Sequence, residues 1–185
     1  GNDRVQVFDR QMQFLFVIGE RTDSVNYSET LFQPSALAVT DPGESARHFN
    51  DNFLIVTDLN DTRLSKFSLE GRFMAAVNST DYGFPKVSLS SVALDFYSNV
   101  WVTDTYNHCI HKFDKNLNYI TSFGHKGEGE NEFLEPHSVT IWKRFGQVFI
   151  VDKISAQYFH VGTDIMNVEI SQRDSVIDCD FALSE

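Results

Sequence analysis

Apolar positions along the chain recur in short runs, with no helical periodicity over any long window. Three of these runs end on an aspartate: Ile55-Val56-Thr57-Asp58, Val100-Trp101-Val102-Thr103-Asp104 and Phe149-Ile150-Val151-Asp152. Positions 58, 104 and 152 are separated by 46 and then 48 residues. From the first two aspartates the register continues without a gap to Phe67 and Phe113, then to Phe73 and Tyr119, Val77 and Phe123, and Asn78 and Gly124. Phe8, Phe14, Ile18 and Gly19 occupy the same offsets at the start, so the chain opens inside a repeat. An upstream run repeats as well, as Pro34 to Val39, Leu89 to Leu94 and Pro136 to Ile141, with a weaker copy from Asp178 to Leu183.

Each repeat therefore holds about four runs rich in Val, Ile, Phe, Tyr and Thr, separated by Gly, Asn, Asp and Ser, which is the pattern of strands and turns. The runs are apolar on both faces, as suits a sheet covered on both sides. A four-stranded unit of roughly 40–50 residues that cannot bury its own faces predicts a propeller blade. The expected fold is all-β, a β-propeller of four-stranded antiparallel blades. Its expected units are a partial blade over 1–30, blades over about 34–80, 87–126 and 136–170, and a partial blade over 176–185. Two longer connections are expected as loops: 41–52, whose Pro, Gly and charge mark it as exposed, and 20–30, which joins one blade to the next.

Charge narrows the partners. Lys and Arg number 15 against 26 Asp and Glu, for a net charge of -11. The basic residues are scattered among acids, which disfavours a phosphate backbone as ligand. A hydrophobic fraction of 42% places the chain among folded proteins. Cys109 and Cys179 do not make a disulfide framework, and no run reaches the ~18 apolar residues of a membrane span.

The repeated residues resemble the NHL repeat family, six-bladed propellers found in tripartite-motif ubiquitin ligases and in many bacterial proteins. The resemblance is carried by Asn2 to Asp9, by Val102-Thr103-Asp104-Thr105-Tyr106-Asn107-His108, and by Ser122-Phe123-Gly124 leading into Gly127 to Pro136. The last matches the family's Gly-x-Gly-x-x-x-Phe-x-x-Pro bridge between blades and is the most specific. The resemblance runs from residue 1 to about 161. It implies a ring whose remaining blades come from the same longer chain or from another chain.

Equivalent positions on the innermost strands circle a propeller axis, and here they read Ser35, Ser90, His137 and Cys179. His137 and Cys179 are possible zinc ligands. Peptidyl-hydroxyglycine amidating lyases resemble NHL propellers and carry zinc on inner-strand histidines; Pro136 to Ile141 looks like one of their motifs, and only His137 carries over. A common His and a small buried Cys without metal is the favoured reading. The same holds for His108-Cys109-x-His111. Cys109 and His111 share a strand face, but the frame puts Arg4 and Arg63, then Gln6 and Ser65, at their positions. Asp58, Asp104 and Asp152, repeated in each blade, are expected to accept turn hydrogen bonds or to pair with a cation such as Arg63. The glycine-rich 124–129 lacks the Lys-Ser/Thr of a phosphate loop, and no nucleophile elbow occurs.

The function expected is a non-catalytic binding or scaffold module with no cofactor, taking a protein or peptide on the loops of one propeller face. Asn60, Asp61, Tyr106, Asn107 and His108 are its candidate contacts, with Tyr106 as the anchor. Lys153 to Ser155 lies in the matching loop of the next blade. The alternative is a metal-dependent lyase or hydrolase with zinc at the axis. An RNA-binding propeller stands third.

Overall fold

A computed structural model describes residues 3–20, 29–43, 45, 48–58, 60 and 62–160, together with the backbone of 165–173 and 176–183. Short antiparallel strands account for nearly all of its regular structure. The first sheet pairs β1 (Val5–Phe8) with β2 (Phe14–Ile18). The next is a four-stranded meander of β3 (Ala36–Val39), β4 (Phe53–Asp58), β5 (Arg63–Ser68) and β6 (Phe73–Asn78). A second meander follows, with β7 (Leu89–Leu94), β8 (Val100–Asp104), β9 (Cys109–Phe113) and β10 (Tyr119–Phe123). A parallel bridge of β11 (His125–Lys126) with β12 (Glu132–Phe133) leads to the sheet of β13 (Ser138–Trp142), β14 (Gln147–Val151) and β15 (Ala156–His160).

The blades stack through both faces of their central strands, which explains why those runs do not alternate. Phe53 and Ile55 of β4 pack in one core with Leu89, Val92, Val100, Val102 and Phe113 of the following blade. Leu54 and Val56 point the other way, into a core with Ile18, Leu31 and Phe67 that Val5, Val7 and Phe16 of the preceding sheet also touch. Trp101 and Ile110 do the same toward Val139, Val148 and Ile150. Burying such a side chain contributes about 1.5–3 kcal/mol, and a period-2 strand covered on both sides collects that gain at every position.

Hairpins at one end of the blades share a device. Asp9, Ser68, Asp95 and Asp114 each accept hydrogen bonds from the backbone amides two and four residues on. The residue between those amides takes a positive φ at Met12, Gly71, Ser98 and Leu117. These are side-chain-closed turns that force one left-handed residue. Gly124, at φ +92°, serves a different need: a Cβ there would stand 2.6 Å from the Phe133 ring that plugs the inter-blade core.

One expectation holds with an addition, and one is revised. The described residues of the 41–52 loop are exposed as expected, and its far end is also anchored: the His48 amide donates to the Phe96 carbonyl at 2.8 Å, and the His48 ring lies against Phe49, Phe96 and Tyr97. Further along, β16 (Ile165–Arg173) pairs with β17 (Val176–Leu183). The runs expected to close the 136–170 blade and to open another over 176–185 thus pair with each other. With so short a connection, hairpin pairing closes little chain and is entropically cheap. Thr163, Ser184 and Glu185 lie outside the described residues, as does most of the 20–30 loop. No helix among the described residues is long and apolar enough to cross a membrane.

Candidate functional site

The meander topology carries the 58–62, 104–108 and 152–155 connections to one end of the blades, together with the segments that enter β3, β7 and β13. Between the second meander and the sheet after it, this end holds a cleft of about 370 Å³ lined by Ser88, Thr105, Tyr106, His108, Glu135 and His137.

Local structure fixes each wall. The Asp104 carboxylate accepts from the amides of Tyr106, Asn107 and Ser88, which holds the 104–108 turn against the strand entry. Tyr106 remains 48% exposed, with the Lys86 ammonium 4.2 Å from its ring centroid. Its ring is thus open on one side and backed by a cation on the other. His108 takes φ 58° and brings Nδ1 to 2.5 Å from the Leu134 carbonyl oxygen, tying the turn to the next blade. The side-chain amide of Asn107 donates to the Lys86 carbonyl at 2.7 Å and to Asp104 at 2.6 Å, so it braces the turn. His137 Nε2 stands 3.5 Å from Glu135, whose other oxygen meets Lys153 Nζ at 2.5 Å. Lys153 and His137 hold the Glu135 carboxyl below its ordinary range, Lys153 contributing most.

Of the residues singled out in sequence, Tyr106, Asn107 and His108 share one turn, and His137 joins Tyr106 and His108 around the cleft. Asn60 is exposed at the equivalent turn of the preceding blade, with φ 57°; Asp61 lies outside the described residues. Ser35 and Ser90 hydrogen-bond Thr57 and Thr103, each at 2.8 Å, and Ser90 also donates to the carbonyls of Pro136 and His137. Cys179 sits on β17 opposite Ile170, and its side chain lies outside what is described. Sequence reasoning missed Lys86, Ser88 and Glu135. Glu135 stands beside Pro136 in the bridge motif, and that adjacency was its one signal.

The three repeated aspartates act as anchors. Asp58 pairs with Arg63, whose Nε and Nη2 lie 2.8 and 2.5 Å away; Nη2 also donates to the Thr30 carbonyl in the inter-blade segment. Asp152 accepts from the amides of Leu134 and Glu135. Gln157, at the Arg63 position, binds the carbonyls of Gly129 and Glu132.

The middle blade departs from this. There the buried Asp104 meets His111 Nε2 at 3.0 Å, and Cys109 Sγ lies 3.8 Å from the same nitrogen. Burial opposes ionisation of Asp104, but hydrogen bonds from His111, Asn107 and the Ser88 amide outweigh it and hold the carboxyl low. Burial, helped by the Asp104 charge, pushes the Cys109 thiol up to about 12. A thiol and a carboxylate on one imidazole nitrogen do not make a nucleophile–base–acid relay, which needs both ring nitrogens in line.

Residues 87–169 match the model of a family described as a 6-bladed beta-propeller (DUF5128). No curated protein matches the chain. Among solved structures, a streptogramin B lyase superposes with a TM-score of 0.56 at 14% identity over 85% of this chain and 44% of that one. The Malassezia sympodialis allergen Mala s 1 gives 0.55 at 14% identity over 85% and 54%. Virginiamycin B lyase from Staphylococcus aureus gives 0.50 at 12% identity over 86% and 49%. The chain spans about half the length of these structures. Strand pairing, family model and structural likeness agree on the architecture: the chain folds as blades of a β-propeller.

Proposed function

We propose that this chain is part of an NHL-type propeller acting as a non-catalytic binding module, and that it takes a protein or peptide in the cleft between the 104–108 turn and the 134–137 segment. One juxtaposition carries the reading: Tyr106 and His108 from one turn and His137 from the entry to the next sheet line a single open cleft. A half-exposed tyrosine backed by Lys86 offers an aromatic anchor, and Glu135 with His137 offers polar groups that fix orientation. The turn beneath is braced by Asp104 and Asn107, so little ordering is needed on binding.

The lyase reading has the names of two structural neighbours in its favour, and at 12–14% identity such likeness speaks for fold alone. His137, its one described candidate ligand, faces Glu135.

Panning displayed random peptides against the purified chain tests the proposal. Enriched peptides should weaken by at least about tenfold on Tyr106→Ala, a loss of about 1.4 kcal/mol, with the melting temperature unchanged. Peptides indifferent to both Tyr106→Ala and His137→Ala would overturn it.

A further inference from the structure

The frame position that carries Arg63 in one blade carries Cys109 in the next, and the consequence is chemical. Asp58 is buried and balanced by the guanidinium that also reaches the inter-blade segment. Asp104 is equally buried and has no Arg or Lys within ion-pairing distance among the described residues; its partner there is His111. Hydrogen bonds from the Ser88, Tyr106 and Asn107 amides, the Asn107 side chain and His111 hold its charge in place of a guanidinium.

Three polar groups converge on this place, beside the ring of Tyr82. Asp104, Cys109 and His111 each bring one ligand atom within 4.8 Å of the others, and all three residues are buried. Tyr82, from the segment between blades, is only 9% exposed, sets its ring 5.3 Å from that of His111 and leaves its hydroxyl without a hydrogen-bond partner. The Nε2 to Sγ separation already suits a metal. Bonds of ~2.0–2.3 Å to oxygen, nitrogen and sulfur place tetrahedral ligand atoms roughly 3.3–3.8 Å apart. The observed Nε2 to Sγ distance is 3.8 Å, while Nε2 to Oδ2, at 3.0 Å, is a hydrogen bond that a bound cation would replace and widen by about 0.3 Å.

We propose that Asp104, Cys109 and His111 form a buried structural site for a borderline-soft divalent cation of the zinc class, beside the Tyr82 ring. A thiolate, an imidazole and a carboxylate form the mixed N, O and S set that zinc takes. On binding, Cys109 releases its proton to solvent. Dication, thiolate and carboxylate then sum to zero charge, as Arg63 and Asp58 do in the neighbouring blade. The cation replaces a guanidinium. This site is separate from the His137 cleft and from any axial metal.

Metal content decides the matter. The purified chain, saturated with zinc and desalted, should retain about one equivalent and lose thermal stability on exhaustive chelation. The double variant Cys109→Arg with His111→Ser restores the residues of the preceding blade; it should stay folded and retain less than about a tenth of an equivalent. Cobalt loading gives a second readout that does not depend on that variant folding: a thiolate-to-cobalt absorption band in the wild type, lost in Cys109→Ser. A folded wild type that retains no zinc and shows no such band overturns the proposal. So does zinc that survives both substitutions.

Discussion

At the scale of single residues, the largest effects belong to groups whose partners are buried and unique. Arg63 is nearly buried and holds Asp58 with two nitrogens. Arg63→Ala leaves that carboxylate unpaired in a dry environment, and urea unfolding should show a loss of about 3–5 kcal/mol. Gly124 combines a φ of +92° with a Cβ position 2.6 Å from Phe133. Gly124→Ala should cost at least about 2 kcal/mol, because backbone strain adds to a clash with a packed ring. Gly83, equally left-handed at φ +89° but with open space around it, should tolerate Ala better. The repeat frame makes Asp58, Arg63 and Asp104 legible as structural groups from the sequence alone. It could not show that His111 would turn to Asp104, because side-chain pairing across a strand depends on rotamers that spacing does not encode.

Among the elements, the hairpin turns were the least legible feature. Asp9, Ser68 and Asp114 stand one residue after Phe8, Phe67 and Phe113, so the register contained them. Their role emerges only when the amides two and four residues on are seen to converge. Asp114→Ala removes the acceptor for Asn116 and Asn118 and should destabilise the β9–β10 hairpin by about 1 kcal/mol, read as faster amide exchange at 116–118. The same group sets a pH response. Burial opposes ionisation of Asp114, but bonds from the Asn118 side chain and the Asn118 and Asn116 amides, with the Lys66 charge, outweigh it and hold the carboxyl low. A carboxyl lowered in the folded state adds stability above its unfolded value of about 3.9, and that contribution is lost as pH falls through the folded value. Wild type should therefore lose more stability between pH 5 and pH 3, taken as the working range around roughly that value, than Asp114→Ala does. Equal losses would remove Asp114 from the account. The 165–183 hairpin shows the opposite failure: strand propensity was legible there, but pairing partners were not, since propensity carries no record of which edge is nearest.

For the whole molecule, blade stacking was legible because double-sided burial writes apolar residues at consecutive positions. Where that burial stops, the described surface is apolar. Phe149, Val151 and Tyr158 are exposed on one face of the β13–β15 sheet, and Leu37 and Val39 are exposed on β3. Contiguous faces of this kind drive association. Light scattering on the isolated chain should show mass rising with concentration, and Phe149→Lys with Tyr158→Lys should suppress it. A monodisperse monomer at all concentrations would mean that these faces are covered in solution.

The central claim is that one end of the blades presents a binding cleft between neighbouring repeats. Hydrogen–deuterium exchange on the chain with a panned peptide bound tests it most directly. The account predicts protection over 86–88, 104–108 and 134–137, absent in Tyr106→Ala. Protection confined to the opposite end, over 95–99, 114–118 and 143–146, would contradict it.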